Sequence, residues 1–331
     1  LPTDLVEQAM ATILSGEATD AQIAAFAVAL RAKGETAAEL ATLVRTMLRF
    51  ADAVDLGDLE GPIVDTCGTG GDGAGTVNVS TMAAIVTAAS GVSVAKHGGR
   101  AASSQCGSVD VLESLGVVID LGPEGVARCV REVGIGFCFA QRYHPAMRFA
   151  APVRREIGAP TTFNFLGPLA NPAGADRRTV GVSDPVMADR VIGTLADLGV
   201  ERAMVFYGHD GLDELTVTAP STVHELVDGA VRIYDIDPGD YGIPLAERGA
   251  LAGGDAAGNA QAVHQVFAGA TGPIRDIVTL NAAAALLVAD AVPDLEAGVE
   301  QARAVLDDGQ AAATLEAFVR VSVAARESGD A

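Results

Sequence analysis

Two glycine-rich stretches and one pair of adjacent carboxylates supply most of the chemistry these residue types can support. The first stretch reads Asp65-Thr66-Cys67-Gly68-Thr69-Gly70-Gly71-Asp72-Gly73 and continues through Thr76-Val77-Asn78-Val79-Ser80-Thr81. It lies between a strand-like run and a helical run. Glycines there let backbone N–H groups approach a polyanion, and the helix start adds a favourable dipole. Asn78, Ser80 and Thr81 add side-chain donors. No Gly-Lys-Ser/Thr follows, so this is not a Walker A loop. Asp72 inside the turn also departs from the dinucleotide fingerprint. The plainer alternative is a tight structural turn.

The second stretch is Lys96-His97-Gly98-Gly99-Arg100-Ala101-Ala102-Ser103-Ser104, again after a strand-like run. Lys96 can neutralise phosphate and the paired serines can donate to it. His97 beside two glycines suits the wall of a flat pocket. A lone Lys-His pair would read as solvated surface, and the phosphate-type loop upstream shifts that reading. Asp213-Glu214 is the third feature. Adjacent carboxylates are costly unless solvated or neutralised by a cation. Beside a pyrophosphate, Mg²⁺ fits, because it takes few carboxylates together with phosphate oxygens and water. The fourth feature is His144-Pro145-Ala146-Met147 followed by Arg154-Arg155-Glu156. Arg154 suits a bidentate grip on a carboxylate, the alternative being a surface arginine paired with a nearby acid.

These residues need a frame. Residues 1–50 predict three short helices, opened by capping pairs Asp4/Glu7, Thr19/Gln22 and Thr36/Glu39. Three short helices bury little alone, so a spare apolar face is expected on them. From Gly61 onward strands and helices alternate, with strands over 62–67, 92–95, 117–120, 136–140, 179–182 and 203–207. Helices fall over 80–89, 109–115, 124–133, 186–198, 276–289 and 295–305, with one more closing the chain. Such alternation predicts a largely parallel sheet covered on both faces. Residues 222–234 read as a hairpin turning at Asp228-Gly229. Between Pro145 and Pro172 the pattern is helical without strands. The expected organisation is therefore a helical domain of residues 1–60 joined by about 144–172. An α/β domain of 61–143 and 173–331 is expected beside it, with a hinge between them.

Composition sets the outer bounds. The chain has 331 residues, 43 acidic and 22 basic, for a formal charge of -21. That field opposes a nucleic-acid backbone, so a phosphate ligand must be held by local donors and a metal ion. Cys67, Cys106, Cys129 and Cys138 show no zinc-type spacing and read as reduced thiols. No basic-then-apolar leader and no membrane-length apolar run is seen, so a cytoplasmic location is expected.

Taken in order, the four segments resemble the anthranilate phosphoribosyltransferase family. So does Phe163-Asn164-Phe165-Leu166-Gly167-Pro168-Leu169-Ala170-Asn171-Pro172, and the resemblance runs to the Asn281-Ala282-Ala283-Ala284 segment. It implies transfer of a 5-phosphoribosyl group from phosphoribosyl pyrophosphate (PRPP) to the amine of anthranilate, in tryptophan biosynthesis. It implies a small helical domain plus a larger α/β domain, and homodimers formed through the helical domain. By resemblance, Gly68, Thr69, Gly70, Gly71, Asp72, Thr76, Asn78, Val79, Ser80 and Thr81 hold PRPP. Lys96, Arg100, Ser103, Ser104 and Ser108 also face it. Ser80, Asp213 and Glu214 bind Mg²⁺. Gly68, His97, Gly99, Ala140, Met147 and Arg154 line the anthranilate path, with Lys96, His97 and Arg154 nearest the chemistry. Two positions depart from the family pattern. Gly99 stands where an Asn is usual, and Cys106 where Ser is more frequent. A different aromatic acceptor, a pyrimidine nucleoside phosphorylase-like activity and a non-catalytic binding role remain open at this point.

Overall fold

The computed structural model describes residues 1–100 and 105–329; residues 101–104, which include Ser103 and Ser104, and 330–331 lie outside the described residues. Three helices open the chain: α1 (Thr3–Leu14), α2 (Asp20–Lys33) and α3 (Ala37–Arg49). Two of the three expected capping boxes form. Thr19 accepts the Gln22 N–H while the Gln22 side chain accepts the Thr19 N–H, and Thr36 and Glu39 do the same. Each such cap contributes about 1 kcal/mol. The Asp4/Glu7 box does not form. α1 begins directly behind Pro2, which has no side-chain acceptor to offer.

The sheet comprises β1 (Ile63–Gly68), β2 (Ser93–Gly98), β3 (Ile135–Phe139), β4 (Arg177–Gly181), β5 (Arg202–Gly208), β6 (Ser221–Val227) and β7 (Ala230–Ile236). Its order is β3-β2-β1-β4-β5-β6-β7. The first five strands pair in parallel, and β6 and β7 add an antiparallel hairpin at one edge. Asp228 and Gly229 both have positive φ, as a tight two-residue hairpin turn requires. The chain winds outward from β1 to β3 in one direction and from β4 to β5 in the other. The carboxyl ends of β1 and β4 therefore border a crevice, where ligands bind in sheets of this kind.

Both sheet faces are covered. On one face α4 (Val79–Ala89), α5 (Ser108–Ser114), α6 (Pro123–Val133), α11 (Ala256–Phe267), α12 (Pro273–Val288), α13 (Leu295–Asp307) and α14 (Gln310–Glu327) enclose a core with Val64, Val94, Phe137, Met204, Phe206 and Val223. On the other, α1–α3 share a core with α10 (Pro185–Asp197) and with Cys67, Val180, Val182, Ala203, Val205 and Leu226 of the sheet. Residues 145–170 also enter this second core, through Ala146, Ala150, Val153, Phe163, Phe165, Leu166, Leu169 and Ala170. As expected they carry no strand. After the short helix α7 (Ala140–Tyr143), short helices α8 (Ala151–Ile157) and α9 (Phe163–Leu166) alternate there with single helical turns.

Two expectations fail. Residues 117–120 form no strand, although Val117, Ile119 and Leu121 are buried; they cross the core without a ladder partner. α11 was not foreseen. Its start is fixed by Asp255, whose carboxylate accepts the Gly258 N–H at 2.8 Å, and a glycine in the first turn obscures the helical pattern.

Candidate active site

The crevice is built around a glycine turn pressed against an acidic turn. Gly68 and Gly181 end β1 and β4 as directly paired neighbours. Asp213 leans across both. A Cβ added to Gly181 would lie 1.7 Å from the Asp213 carbonyl oxygen, and one added to Gly68 would lie 2.4 Å from its Oδ2. Only glycine permits that approach. Thr69 N–H then donates to Gly181 O at 2.9 Å, and Gly70 N–H donates to Asp213 Oδ2 at 2.7 Å. Ser183 Oγ donates to Gly70 O at 3.0 Å. The far limb is held by residues 251–253. Val77 N–H donates to Leu251 O at 3.1 Å, and Thr76 forms a bridge with Ala252. Asp72 caps the turn by accepting the Ala74 N–H at 3.1 Å.

The turn feeds into the start of α4. Asn78 makes no cap bond to the helix; its Nδ2 donates instead to Cys106 O at 3.2 Å. Thr81 is buried and donates to Ser108 Oγ at 3.2 Å, which ties α4 to the start of α5. Val79 sits in the core and its N–H is used by Val77 O. Lys96 is only 2% exposed and donates to Thr66 O and to Ser80 Oγ, the latter at 3.3 Å. Burial pushes its ammonium pKa down, while Asp65, Cys67 and Glu214 pull it back up. Lys96 thus underpins the glycine turn from below. Arg100 sits at the rim. It pairs with Asp110 at 2.9 Å and with both Glu113 oxygens at 2.8 and 2.9 Å, and it stacks over the Phe139 ring.

The acids are poised for a cation. Burial first, then the neighbouring Asp72, pushes the Asp213 carboxyl up to about 7, with the Gly70 N–H opposing. Burial and Asp213 likewise push Glu214 well above the usual carboxylate range, while Lys96 and the Ser80 N–H oppose. A divalent cation between them and a pyrophosphate would remove that repulsion, so the donor set fits Mg²⁺. Among the described residues no group of three or more ligating side chains forms a closed cage.

Beside the turn two imidazoles meet edge to face, His97 and His144, with ring centroids 5.1 Å apart. His97 Nδ1 lies 3.0 Å from Gly167 O, and His144 Nε2 lies 2.8 Å from Ala170 O. A carbonyl only accepts, so those two nitrogens carry the protons. His97 Nε2 and His144 Nδ1 are then bare acceptors, and both are buried without a partner among the described residues. Burial lowers both pKa values, His144 to about 4 and His97 well below its usual range, so both rings are neutral near pH 7. At Gly99 a Cβ would meet, among the described residues, Gln141 Oε1 at 3.5 Å and the Ala140 Cβ at 3.9 Å, both ordinary contacts. Met147 packs at the edge of the second core. Arg154, on α8, lies 5.9 Å from the Phe163 ring, and burial lowers its pKa.

Sequence reasoning missed the buried frame below these groups. Asp65 is fully buried and Arg178 is 4% exposed; they pair at 2.8 Å, adjacent across β1 and β4. Nothing in the sequence links two residues so far apart. Gly181 was also missed, although the Arg177-Arg178-Thr179-Val180-Gly181 run ends a predicted strand.

Comparison with known proteins bears on this site. Residues 60–312 match the model described as "Glycosyl transferase family, a/b domain", and residues 1–51 match its "helical bundle domain". The anthranilate phosphoribosyltransferase of Roseiflexus castenholzii is 51% identical over 97% of this chain and 94% of its own length. That of a Nocardioides species is 54% identical over 96% and 94%. Among solved structures, the anthranilate phosphoribosyltransferase of Thermus thermophilus superposes with a TM-score of 0.92 at 41% identity, covering 97% of this chain and 96% of that one. The Saccharomyces cerevisiae enzyme in complex with PRPP and Mg superposes at 0.90 with 28% identity, covering 98% and 94%.

Proposed function

The chain belongs to the anthranilate phosphoribosyltransferases of the glycosyl transferase family, and on that basis we propose that it transfers the phosphoribosyl group of PRPP to the amine of anthranilate, releasing pyrophosphate. One observation carries the reading. A glycine turn abuts two carboxyls, one of them bonded to its Gly70 N–H, that burial and neighbouring carboxylates hold short of full ionisation. That is a seat for a diphosphate and its metal ion. The yeast relative was solved with PRPP and Mg, and again with 4-fluoroanthranilate.

The reaction is a displacement at the anomeric carbon. The amine lone pair forms the new C–N bond as the C–O bond to pyrophosphate breaks, and the electron pair leaves with the pyrophosphate. The amine then loses a proton. Gly68–Asp72, Thr76 and Asn78, with the hydroxyl of Ser80, would grip the diphosphate end. Ser103, Ser104 and Ser108 would add hydroxyl donors, while Arg100 would first exchange its acidic partners. Ser80, Asp213 and Glu214 would hold Mg²⁺, which when bound would supply charge neutralisation for the diphosphate leaving group. Lys96, drawn toward its charged form by Asp65 and Glu214, would add positive charge under the turn. His97 Nε2 would accept an N–H of the incoming amine and so aim its lone pair. Arg154, partly buried beside the Phe163 ring, would meet the carboxylate with its planar fork. An aryl amine is already neutral near pH 7, so positioning and leaving-group stabilisation carry the catalysis. A hinge between the two domains would close over both substrates and exclude water.

The helical domain also supports a homodimer. Leu5 on α1 and Val28 on α2 are exposed, and Ala21, Ala25 and Val28 share one outward stripe of α2. Among the described residues no helix is long and apolar enough to cross a membrane. The buried, unbridged thiols of Cys67, Cys129 and Cys138 support a reducing, cytoplasmic setting.

The test is the loss of anthranilate fluorescence with PRPP and Mg²⁺. Turnover that needs all three is expected. Turnover instead of a pyrimidine nucleoside with orthophosphate, without PRPP, would refute the proposal.

A further inference from the structure

Four successive backbone carbonyls, of residues 167–170, are each held by a buried side chain from elsewhere in the chain. His97 takes Gly167 O at 3.0 Å and His144 takes Ala170 O at 2.8 Å. Between them Arg178 donates to Pro168 O at 3.3 Å and to Leu169 O at 3.5 Å. Cys67 Sγ also reaches Pro168 O, at 3.4 Å. The guanidinium makes two further bonds: its Nε donates to Ala175 O at 3.2 Å, and one terminal nitrogen donates to Asp65 Oδ2 at 2.8 Å. Asp65 Oδ1 in turn accepts the backbone N–H of His97 at 3.0 Å. The bonds close a ring. It runs from the His97 backbone to Asp65, to Arg178, to the 168–169 carbonyls, and through the adjacent Gly167 carbonyl back to the His97 imidazole.

A buried ion pair costs desolvation that a well-packed apolar pair would avoid, so its presence calls for a role beyond stability. The planar five-donor fork of arginine is suited to holding several carbonyls and a carboxylate at fixed angles. The imidazole it fixes keeps an unpartnered Nε2, the atom assigned above to the acceptor amine. The pair stands below the sheet face that carries residues 145–170. It makes no bond to the glycine turn or to Asp213 and Glu214.

We propose that Asp65 and Arg178 are positioning residues for the acceptor: they set the orientation of His97 and the path of residues 167–170, and act on the PRPP side only through the charge that Asp65 presents to Lys96. The proposal rests on the reading that anthranilate meets His97. Arg178→Lys keeps the charge and loses the fork. The expected result is a rise of about tenfold or more in anthranilate KM, a lower kcat, and a PRPP KM within about twofold of the parent, because misplacement near the reacting amine is costly. A pair with a purely structural role would lower the melting temperature and shift both KM values alike, or neither, and that result overturns the proposal. If Arg178→Lys does not fold, Asp65→Glu is read in its place, since it keeps the charge that faces Lys96 and displaces the oxygens that hold the His97 N–H and Arg178. The same split is expected, and equal effects on both substrates refute it. Should neither variant fold, the pair is a folding determinant and the proposal falls. Failure of the parent chain to use anthranilate at all would instead overturn the proposed function, and that is measured before any variant is made.

Discussion

Replacing Gly181 with alanine puts a methyl carbon 1.7 Å from the carbonyl oxygen of Asp213. Ordinary contact begins near 3.4 Å, so one of the two must retreat by roughly 1.5 Å, a displacement that close packing does not absorb silently. β4 is paired on both sides, with Gly68 and Phe206 opposite Gly181, so the strand is the less yielding partner. The acidic turn has to move. It is tethered further on, where Leu215 exchanges bonds with the Asn281 side chain at 3.1 and 2.9 Å, so its displacement concentrates at Asp213 and Glu214. Overpacking of this kind costs about 1–3 kcal/mol of stability. Misplacing catalytic groups by about 1 Å costs on the order of a hundredfold in rate. Gly181→Ala should therefore fold, melt a few degrees lower, and lose about a hundredfold in kcat, with half-saturation shifted to higher Mg²⁺. Gly249→Ala, where the added methyl meets nothing within 4 Å, is the matched control. The assay is anthranilate fluorescence decay across a Mg²⁺ titration at saturating PRPP. A Gly181→Ala enzyme with parental kcat and parental Mg²⁺ dependence would falsify the idea that this backbone approach places the metal-binding acids.

Three further outcomes are expected. The double variant Asp213→Asn with Glu214→Gln should lose about a thousandfold or more in kcat; parental turnover at any Mg²⁺ concentration contradicts the metal assignment. Gly99→Asn brings its Cβ only into ordinary contact with the described residues Gln141 and Ala140, and one added amide contact of about 0.5–1.5 kcal/mol should lower the anthranilate KM severalfold; unchanged or weaker binding points to another aromatic acceptor. The third is a pH effect. His144 titrates near 4 in the folded chain against an ordinary 6.5, because burial disfavours its charged form. The unfolded chain therefore binds the extra proton first. Stability is fully present above about pH 6.5 and declines as pH falls toward 4, by about 3 kcal/mol from this group alone. His97 acts in the same direction. Urea midpoints between pH 7 and 4.5 should fall less steeply in His144→Gln, which keeps a donor for Ala170 O; identical slopes would show that His144 does not drive the effect.

Features written in neighbouring residues were legible from the sequence. The Thr19/Gln22 and Thr36/Glu39 boxes, the Asp228-Gly229 hairpin and the glycine turn all depend on contacts within a few positions, and each forms as read. Asp4 and Glu7 misled because the pattern ignores what precedes it, and Pro2 lets the helix start earlier. Val117, Ile119 and Leu121 alternate as a strand would, yet alternation reports burial, and a strand also needs an edge to pair with. The deeper parts of the site were not legible. The engagement of Arg100 by Asp110 and Glu113, the seat of Lys96 beneath Thr66 and Ser80, the Asp65–Arg178 pair and the clash-limited approach of Asp213 to Gly181 are products of topology. No local pattern encodes them.

The second hydrophobic core has a practical corollary for anyone who would cut or graft this chain. Val6, Met10, Ile23, Leu30, Leu40 and Leu43 bury themselves in one continuous oily layer with Val180, Val182, Met187, Val191 and Val205. The two portions recognised as separate family units are therefore not detachable parts. Expressed without the first 51 residues, the remainder would bare a greasy sheet face and tend to precipitate. A chimera that borrows its opening helices from a relative will stay monodisperse only if the receiving layer on β4, β5 and α10 is borrowed with them.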